Sequence, residues 1–244
     1  MNVNKVVLVT GGTRGIGEAI VYKFASLNYD VIFNYANSSD KALIIKKDLE
    51  SKYGINVLPI KADLAKEEDI NNMFSIIDNS YKHIDVLVNN AGIDDDSLVE
   101  DKTKDSFMHI LEVNLVAPFL MCQKMKQYMD KGSIINISST NGIDTYYPYG
   151  MDYDASKAGL NNLTKNFAVY YAPNIRVNAI ACGWVKTDMN KELDNDAINK
   201  ENKKILLNRF AEPSEIANVV AFLASEEASY INSEIIRVDG GYNG

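Results

Sequence analysis

Tyr153 and Lys157 stand four residues apart in "YDASK", a run that reads as helix. Positions i and i+4 share a helix face at about 5–6 Å between Cβ atoms, so a phenol and an ammonium would occupy one small volume. A nearby cation favours the phenolate. From an ordinary pKa near ~10, that would bring Tyr153 toward use as an acid or base near neutrality. A surface helix with two unrelated side chains accounts for the same five residues, so the pair needs company to carry meaning. A second chemical stretch is "TGGTRGIG", residues 10–17, with Gly11, Gly15 and Gly17. Glycines at a strand-to-helix turn let the chain turn tightly and approach a pyrophosphate by its backbone, while the helix start offers unpaired N–H groups to the anion. The spacing is G-x3-G-x-G, and a glycine-rich turn between any strand and helix would look similar.

The elements that must position these residues follow from hydrophobic patterning. "KVVLVT" (5–10) is apolar with no polar face and reads as a strand buried on both sides. Further strands are expected at 30–35, 56–63, 84–92, 133–139, 175–181 and 234–241. Helices are expected at 14–27, 38–53, 66–81, 103–129, around Tyr153 and Lys157, at 188–208 and at 213–225. This alternation predicts a single doubly wound Rossmann-type α/β domain over residues 1–244 with a seven-stranded parallel sheet. Ligands of such sheets bind outside the carboxyl ends of the strands.

The chain of 244 residues is 46% hydrophobic and 24% charged, with a net charge of -8. The acidic balance argues against a nucleic-acid or anionic-membrane partner. The N-terminus reads as a strand and not as a signal peptide, and no uninterrupted apolar run has the length of a membrane span. Two cysteines, Cys122 and Cys182, are too few for a disulfide framework and fit a reducing cytoplasm. No metal-ligating set is read.

The strand ends carry the cofactor argument. An Asp or Glu normally ends the second strand of an NAD-binding sheet. Here Asn34-Tyr35-Ala36-Asn37 stands there, with no acid before Asp40, and Arg14 lies in the glycine turn where it would meet a 2′-phosphate. NADP(H) is the expected cofactor. Asp63, ending the third strand, would take the adenine amino group or cap the next helix. "NNAG" (89–92) would form a close turn against the cofactor.

Taken in order, TGGTRGIG, Asp63, NNAG, Asn114 in "EVNLVAPF", "NISS" and Tyr153-x3-Lys157 resemble the short-chain dehydrogenase/reductase family over essentially the whole chain, down to "NRFAEPSEIANVVAFLAS" and "VDGG". Within it, the chain is most similar to the β-ketoacyl-acyl carrier protein reductases of fatty acid biosynthesis. The resemblance implies that Tyr153 is the proton donor to a carbonyl, Lys157 its tuner and ribose ligand, and Ser139 the holder of the substrate oxygen. It implies that Asn114 places a relay water by backbone and side chain. It also implies a cofactor site of Gly11, Thr13, Arg14, Gly15, Ile16, Gly17, Asn34, Asp63, Leu64, Asn90, Ala91, Gly92, Gly183, Val185 and Thr187, together with Tyr153 and Lys157. Residues 188–208 would be the substrate lid, and a homotetramer or homodimer the assembly.

The chain departs from that pattern in three places. The loop "TNGIDTYYPYGMD" is one residue longer than usual, which leaves Ser138 as an alternative to Ser139. Its Tyr146, Tyr147 and Tyr149 would wall a pocket or pack at an oligomer contact. Cys182 replaces a proline, and Ser233 a glycine. Acyl carrier protein is a possible partner, with Lys124, Lys126, Lys131 and Arg176 as candidate docking residues. The competing functions are a dehydrogenase for a free sugar, polyol, steroid or other small alcohol or ketone, and a non-catalytic NADP(H) sensor, which would have no need of a proton donor.

Overall fold

The computed structural model describes residues 4–191 and 193–243. Strands β1 (Val6–Val9), β2 (Asp30–Tyr35), β3 (Val57–Lys61), β4 (Val86–Asn89), β5 (Gly132–Ser139), β6 (Ile175–Cys182) and β7 (Ile235–Val238) form one sheet in the order β3-β2-β1-β4-β5-β6-β7. All pairings are parallel. The order reverses between β1 and β4, so a crevice opens at their carboxyl ends. The seven strands match those expected, but several are shorter, because residues such as 90–92 and 239–241 leave the ladder to form turns.

Helices α1 (Gly15–Ser26), α2 (Ser39–Tyr53) and α8 (Pro213–Ala224) cover one face, and α3 (Glu67–Asp78), α5 (Ala117–Met125) and α6 (Met151–Tyr171) the other. The strand period of two explains this division. Val7 and Val9 pack with Ile20, Phe24 and Ile216, whereas Val6 and Leu8 pack with Ile70, Met121 and Met125. Both faces of β1 are therefore dry, which is why its sequence shows no alternation. Glu212 and Glu215 form a capping box before α8, with Pro213 at its first position.

Two expected helices are interrupted. The stretch read as 103–129 is α4 (Lys104–Leu111), a π turn (Glu112–Val116) and α5, with Thr103 and Ser106 in a capping box at its start. Pro118 has no N–H to offer the Asn114 carbonyl four residues earlier, and the widened turn accommodates that loss. Lys104–Met125 is 22 residues long with a mean hydropathy of 1.2 in its most apolar part, which by length and composition is enough to cross a membrane. Here Met121, Cys122 and Met125 bury that apolar character against the sheet. Among the described residues of the region 188–208, the helical elements are a short 3-10 turn and α7 (Asn195–Asn202). Its far end is tied to the C-terminal segment. The N–H groups of Leu206 and Leu207 donate to the carbonyls of Gly241 (3.2 Å) and Gly240 (3.1 Å), and the Tyr242 hydroxyl donates to Glu201 (2.7 Å).

Candidate active site

At the β1–α1 turn, Gly15 has a φ of +53°, and a Cβ on Gly17 would lie 2.1 Å from the Gly11 carbonyl oxygen. The left-handed backbone favours glycine at the first place, and the space requires it at the second. Arg14, the N-cap of α1, supplies no side-chain hydrogen bond to the helix start, so the first-turn N–H groups face outward. The turn therefore fits a dinucleotide pyrophosphate. Beside it is a cleft of about 580 Å³ lined by Arg14, Gly15, Lys41, Lys186, Thr187 and Lys191, among others. Lys41 is paired with Glu18 and Lys186 with Glu212, which leaves Arg14 and Lys191 as the cations of the cleft without an ion pair among the described residues.

Asn34 requires a correction. Its side chain is buried, accepting the Gly11 N–H (2.8 Å) and donating to the Ala62 carbonyl (3.0 Å). With both ends of its amide so engaged, the side chain shapes the turn from inside the protein. The Gly12 N–H also donates to the Asn34 carbonyl (2.9 Å), holding the Arg14-bearing loop against the end of β2. Thr10 escaped sequence reasoning. Its buried hydroxyl accepts the N–H groups of Asn90 and Ala91, both at 2.9 Å, while the Asn90 side chain donates to the Thr10 carbonyl (2.8 Å). These bonds lock the ends of β1 and β4 together across the crevice.

The chemical residues converge at the carboxyl ends of β5 and β6. Ser139 and Cys182 are register partners there. Consecutive strand residues face opposite ways, so the two serines have different neighbours. Ser138 reaches back toward the Lys157 carbonyl (3.5 Å), whereas the Ser139 hydroxyl stands beside the Tyr153 phenol. Lys157 is 4% exposed and donates to the Ile137 carbonyl at 3.0 Å. A methyl group at Gly92 would lie 3.5 Å from the Lys157 ammonium and 3.4 Å from Asn114 Oδ1, so the end of β4, the π turn and α6 meet in one place.

The Lys157 nitrogen lies over the Tyr153 ring, 5.4 Å from its centroid. Burial raises the Tyr153 pKa, the Ser139 hydrogen bond opposes that, and Cys182, Asp94 and Asp154 reinforce it. Burial also pulls Lys157 down to about 8. In the protein alone, Tyr153 is therefore a protonated phenol at neutral pH beside a still mainly protonated amine. The expected role of the Asn114 side chain is corrected as well. Its Oδ1 accepts the Ile93 N–H (2.9 Å), and its Nδ2 donates to the Ile93 carbonyl (2.8 Å) and Ser156 Oγ (3.1 Å). Only its backbone remains for a water.

A family model described as enoyl-(acyl carrier protein) reductase matches residues 11–243. The 3-oxoacyl-[acyl-carrier-protein] reductase FabG of Aquifex aeolicus is 43% identical, covering 97% of this chain and 96% of its own. A short-chain dehydrogenase/reductase from Serratia marcescens superposes with a TM-score of 0.91 at 35% identity, covering 98% of both chains. The chain belongs to the short-chain dehydrogenase/reductase family. It is thus an NAD(P)-dependent oxidoreductase. A blue fluorescent protein from a metagenomic library, solved in complex with NADPH, superposes with a TM-score of 0.93 at 32% identity over the full length of both chains.

Other expected positions of this short-chain dehydrogenase/reductase fall as follows. Thr13 and Leu64 are buried, and Ile16 is partly so. Asp63 does not cap α3, whose N-cap is Lys66. Its carboxylate accepts the Ala65 N–H (3.1 Å) and pairs with Lys66 (3.3 Å). A Cβ on Gly183 would strike Asp239, so its bareness serves packing against the segment after β7. Val185 is buried, and Thr187 lies against Gly15. Burial pushes the Cys182 thiol up to about 12, which leaves it inert as a nucleophile. In the loop after β5, Tyr147 and Tyr149 stack edge to face at 5.6 Å, and Tyr146 is 82% exposed.

Two of the four docking candidates, Lys131 and Arg176, lie away from this mouth. Lys131 directly precedes β5 and Ser139 ends it, so strand rise separates them by about 25 Å. Arg176 is spent inside the protein, donating to the carbonyls of Leu223, Ser225 and Ile231.

Proposed function

We propose that the chain is an NADPH-dependent carbonyl reductase that converts the 3-oxo group of an acyl thioester to a hydroxyl. The observation that carries this reading is the convergence of the Ser139 hydroxyl, the protonated Tyr153 phenol and the buried Lys157 ammonium beside a turn fitted to a pyrophosphate. The nicotinamide, when bound, supplies the hydride to the carbonyl carbon. Ser139 holds the carbonyl oxygen, and Tyr153 delivers its proton there as negative charge develops. Lys157 steadies the phenolate left behind and holds the cofactor's ribose, and the Asn114 backbone carbonyl orients a water for reprotonation. The 43% identity to a 3-oxoacyl-[acyl-carrier-protein] reductase supports the thioester class.

A free small ketone is the second reading. Asp94, Asp95 and Asp96 follow Gly92 at the mouth, and Asp94 and Asp96 raise the Tyr147 pKa after burial does, which sets acidic groups beside the tyrosine loop. An acidic rim disfavours an acidic carrier protein. Following NADPH oxidation with acetoacetyl thioesters, carrier-bound and on a small thiol, against simple ketones and sugars separates the readings. We expect the small thioester to be turned over, with at most a modest, salt-sensitive gain on the carrier. Turnover of sugars alone would overturn the thioester class.

Assembly is expected through the face of α4, α5 and α6. Val116, Phe119, Val169 and Tyr170 are exposed there beside a groove lined by Leu115, Gly159 and Leu163. A second copy of the chain fits that face, in a homodimer or homotetramer.

Arg14 is assigned to the 2′-phosphate of NADPH. A charge-assisted hydrogen bond of roughly 1.5–3 kcal/mol makes Arg14→Ala weaken NADPH at least about tenfold while leaving NADH nearly unchanged. Nicotinamide fluorescence titration measures both, and an equal loss for the two cofactors would remove Arg14 from that role.

A further inference from the structure

Lys102 and Asp152 form an ion pair that no step above uses. Their side chains are 7% and 0% exposed. The ammonium donates to both Asp152 oxygens, at 3.1 and 2.9 Å, and to the Asp95 carbonyl, and it lies 3.5 Å from the Asp95 carboxylate. Asp152 Oδ1 also accepts the backbone N–H of Tyr153 at 3.0 Å. On the other side of the same turn, Ser156 donates to the Tyr153 carbonyl (2.6 Å) and accepts from Asn114. The first turn of α6 is thus gripped twice. The π turn holds it through Ser156, and the 93–102 segment holds it through Lys102. That segment is anchored in turn by Ile93, whose N–H and carbonyl both bond Asn114.

Burying two charges is costly, and apolar replacements of such pairs are often neutral or stabilising, so stability alone does not account for the pair. Its place does. The carboxylate is bonded to the residue that would move the proton, and the ammonium to a segment at the substrate mouth.

We propose that Lys102 and Asp152 are positioning residues for the reduction, fixing the Tyr153 turn of α6 to the substrate-side segment. This rests on the reading of Tyr153 as proton donor. A misplacement of about 1 Å in a proton donor costs on the order of 10²-fold in rate, so a loosened turn is read in kcat and not in cofactor affinity. Asp152 faces Lys102, Asp94 and Asp96 from the segment, and on its own helix the Tyr153 N–H. Without Lys102 it is a buried carboxylate that has lost its counter-ion, so in Lys102→Met the turn should loosen from the segment.

The test compares wild type, Lys102→Met, Lys102→Arg, Asp152→Asn, the Lys102→Met/Asp152→Asn double variant and Tyr153→Phe. It measures kcat and KM with acetoacetyl coenzyme A, with NADPH affinity by fluorescence and thermal midpoints in parallel. Lys102→Met should lose about tenfold or more in kcat at nearly unchanged KM and bind NADPH within about twofold of wild type. Lys102→Arg should restore most of the rate, and the double variant, which leaves no buried charge unpaired, should lose no more than Lys102→Met alone. Should Lys102→Met not fold, Asp152→Asn, which keeps an acceptor for the Tyr153 N–H, carries the test with a several-fold fall in kcat at unchanged KM. Single variants that keep wild-type kcat, or whose losses only follow their thermal midpoints, would overturn the proposal. An active Tyr153→Phe would instead sink the reading of Tyr153, whereas an inactive one beside unaffected Lys102 and Asp152 variants would sink the positioning role alone.

Discussion

Tyr153→Phe should lower kcat for ketone reduction by ~10²-fold or more, the loss typical of a missing general acid, while NADPH binds as before. Phenylalanine keeps the ring under the Lys157 ammonium and removes only the proton that reduction needs. The direction of the phenol's pKa strengthens this expectation. Burial holds Tyr153 protonated at neutral pH, so the resting protein has the acid form in place and the variant has nothing to substitute for it. Steady-state NADPH oxidation and a fluorescence titration decide the matter together. A variant with most of its activity would move the proton transfer to another group.

Lys157→Met should be nearly as inactive, and it makes a thermodynamic prediction that Tyr153→Phe does not. Burial lowers the Lys157 pKa from its ordinary 10.5 to about 8, so the folded protein disfavours a proton that the unfolded chain keeps. Below about pH 8 both states are protonated and the fold carries the full cost of the buried charge. Between about 8 and 10.5 the folded state releases its proton first, that cost falls away, and the lysine protein gains stability with rising pH. Loss of the bond to the Ile137 carbonyl adds a roughly pH-independent penalty to the variant. The stability of wild type relative to Lys157→Met should therefore rise between pH 7 and about 10. Thermal unfolding of both proteins at a series of pH values checks it, and a constant gap would show that the ammonium is not held at a cost.

The sheet was legible because parallel strands covered on both faces leave unbroken apolar runs, and "KVVLVT" and "SIINISS" announce themselves that way. Glycine spacing and the Tyr153–Lys157 interval were legible for a local reason, since one turn of backbone places each group. What depends on distant partners was not. Asn34 looked like a cofactor residue because it ends a strand, yet its side-chain partners are backbone atoms of Gly11 and Ala62, 23 and 28 residues away. Lys102 and Asp152 meet across 50 residues and follow no shared period. The i,i+4 spacing likewise showed that Lys157 and Tyr153 lie close together, but not the burial that raises the phenol's pKa, which depends on distant parts of the chain.

The π turn at Glu112–Val116 also limits how this chain can change in length. A π turn holds more residues than an α turn of the same helix, so the segment between Thr103 and Pro118 carries a surplus in its count. Deleting one residue there would draw the segment back toward α geometry, where Pro118 still offers no N–H to the carbonyl four residues before it. The same deletion would swing Asn114 around the axis and part it from Ile93 and Ser156, dissolving the junction of β4, α4 and α6. Insertions and deletions are thus easier to admit in the loop around 143–149 than in this helix, where the apparent imperfection is the spacer that keeps three elements in phase.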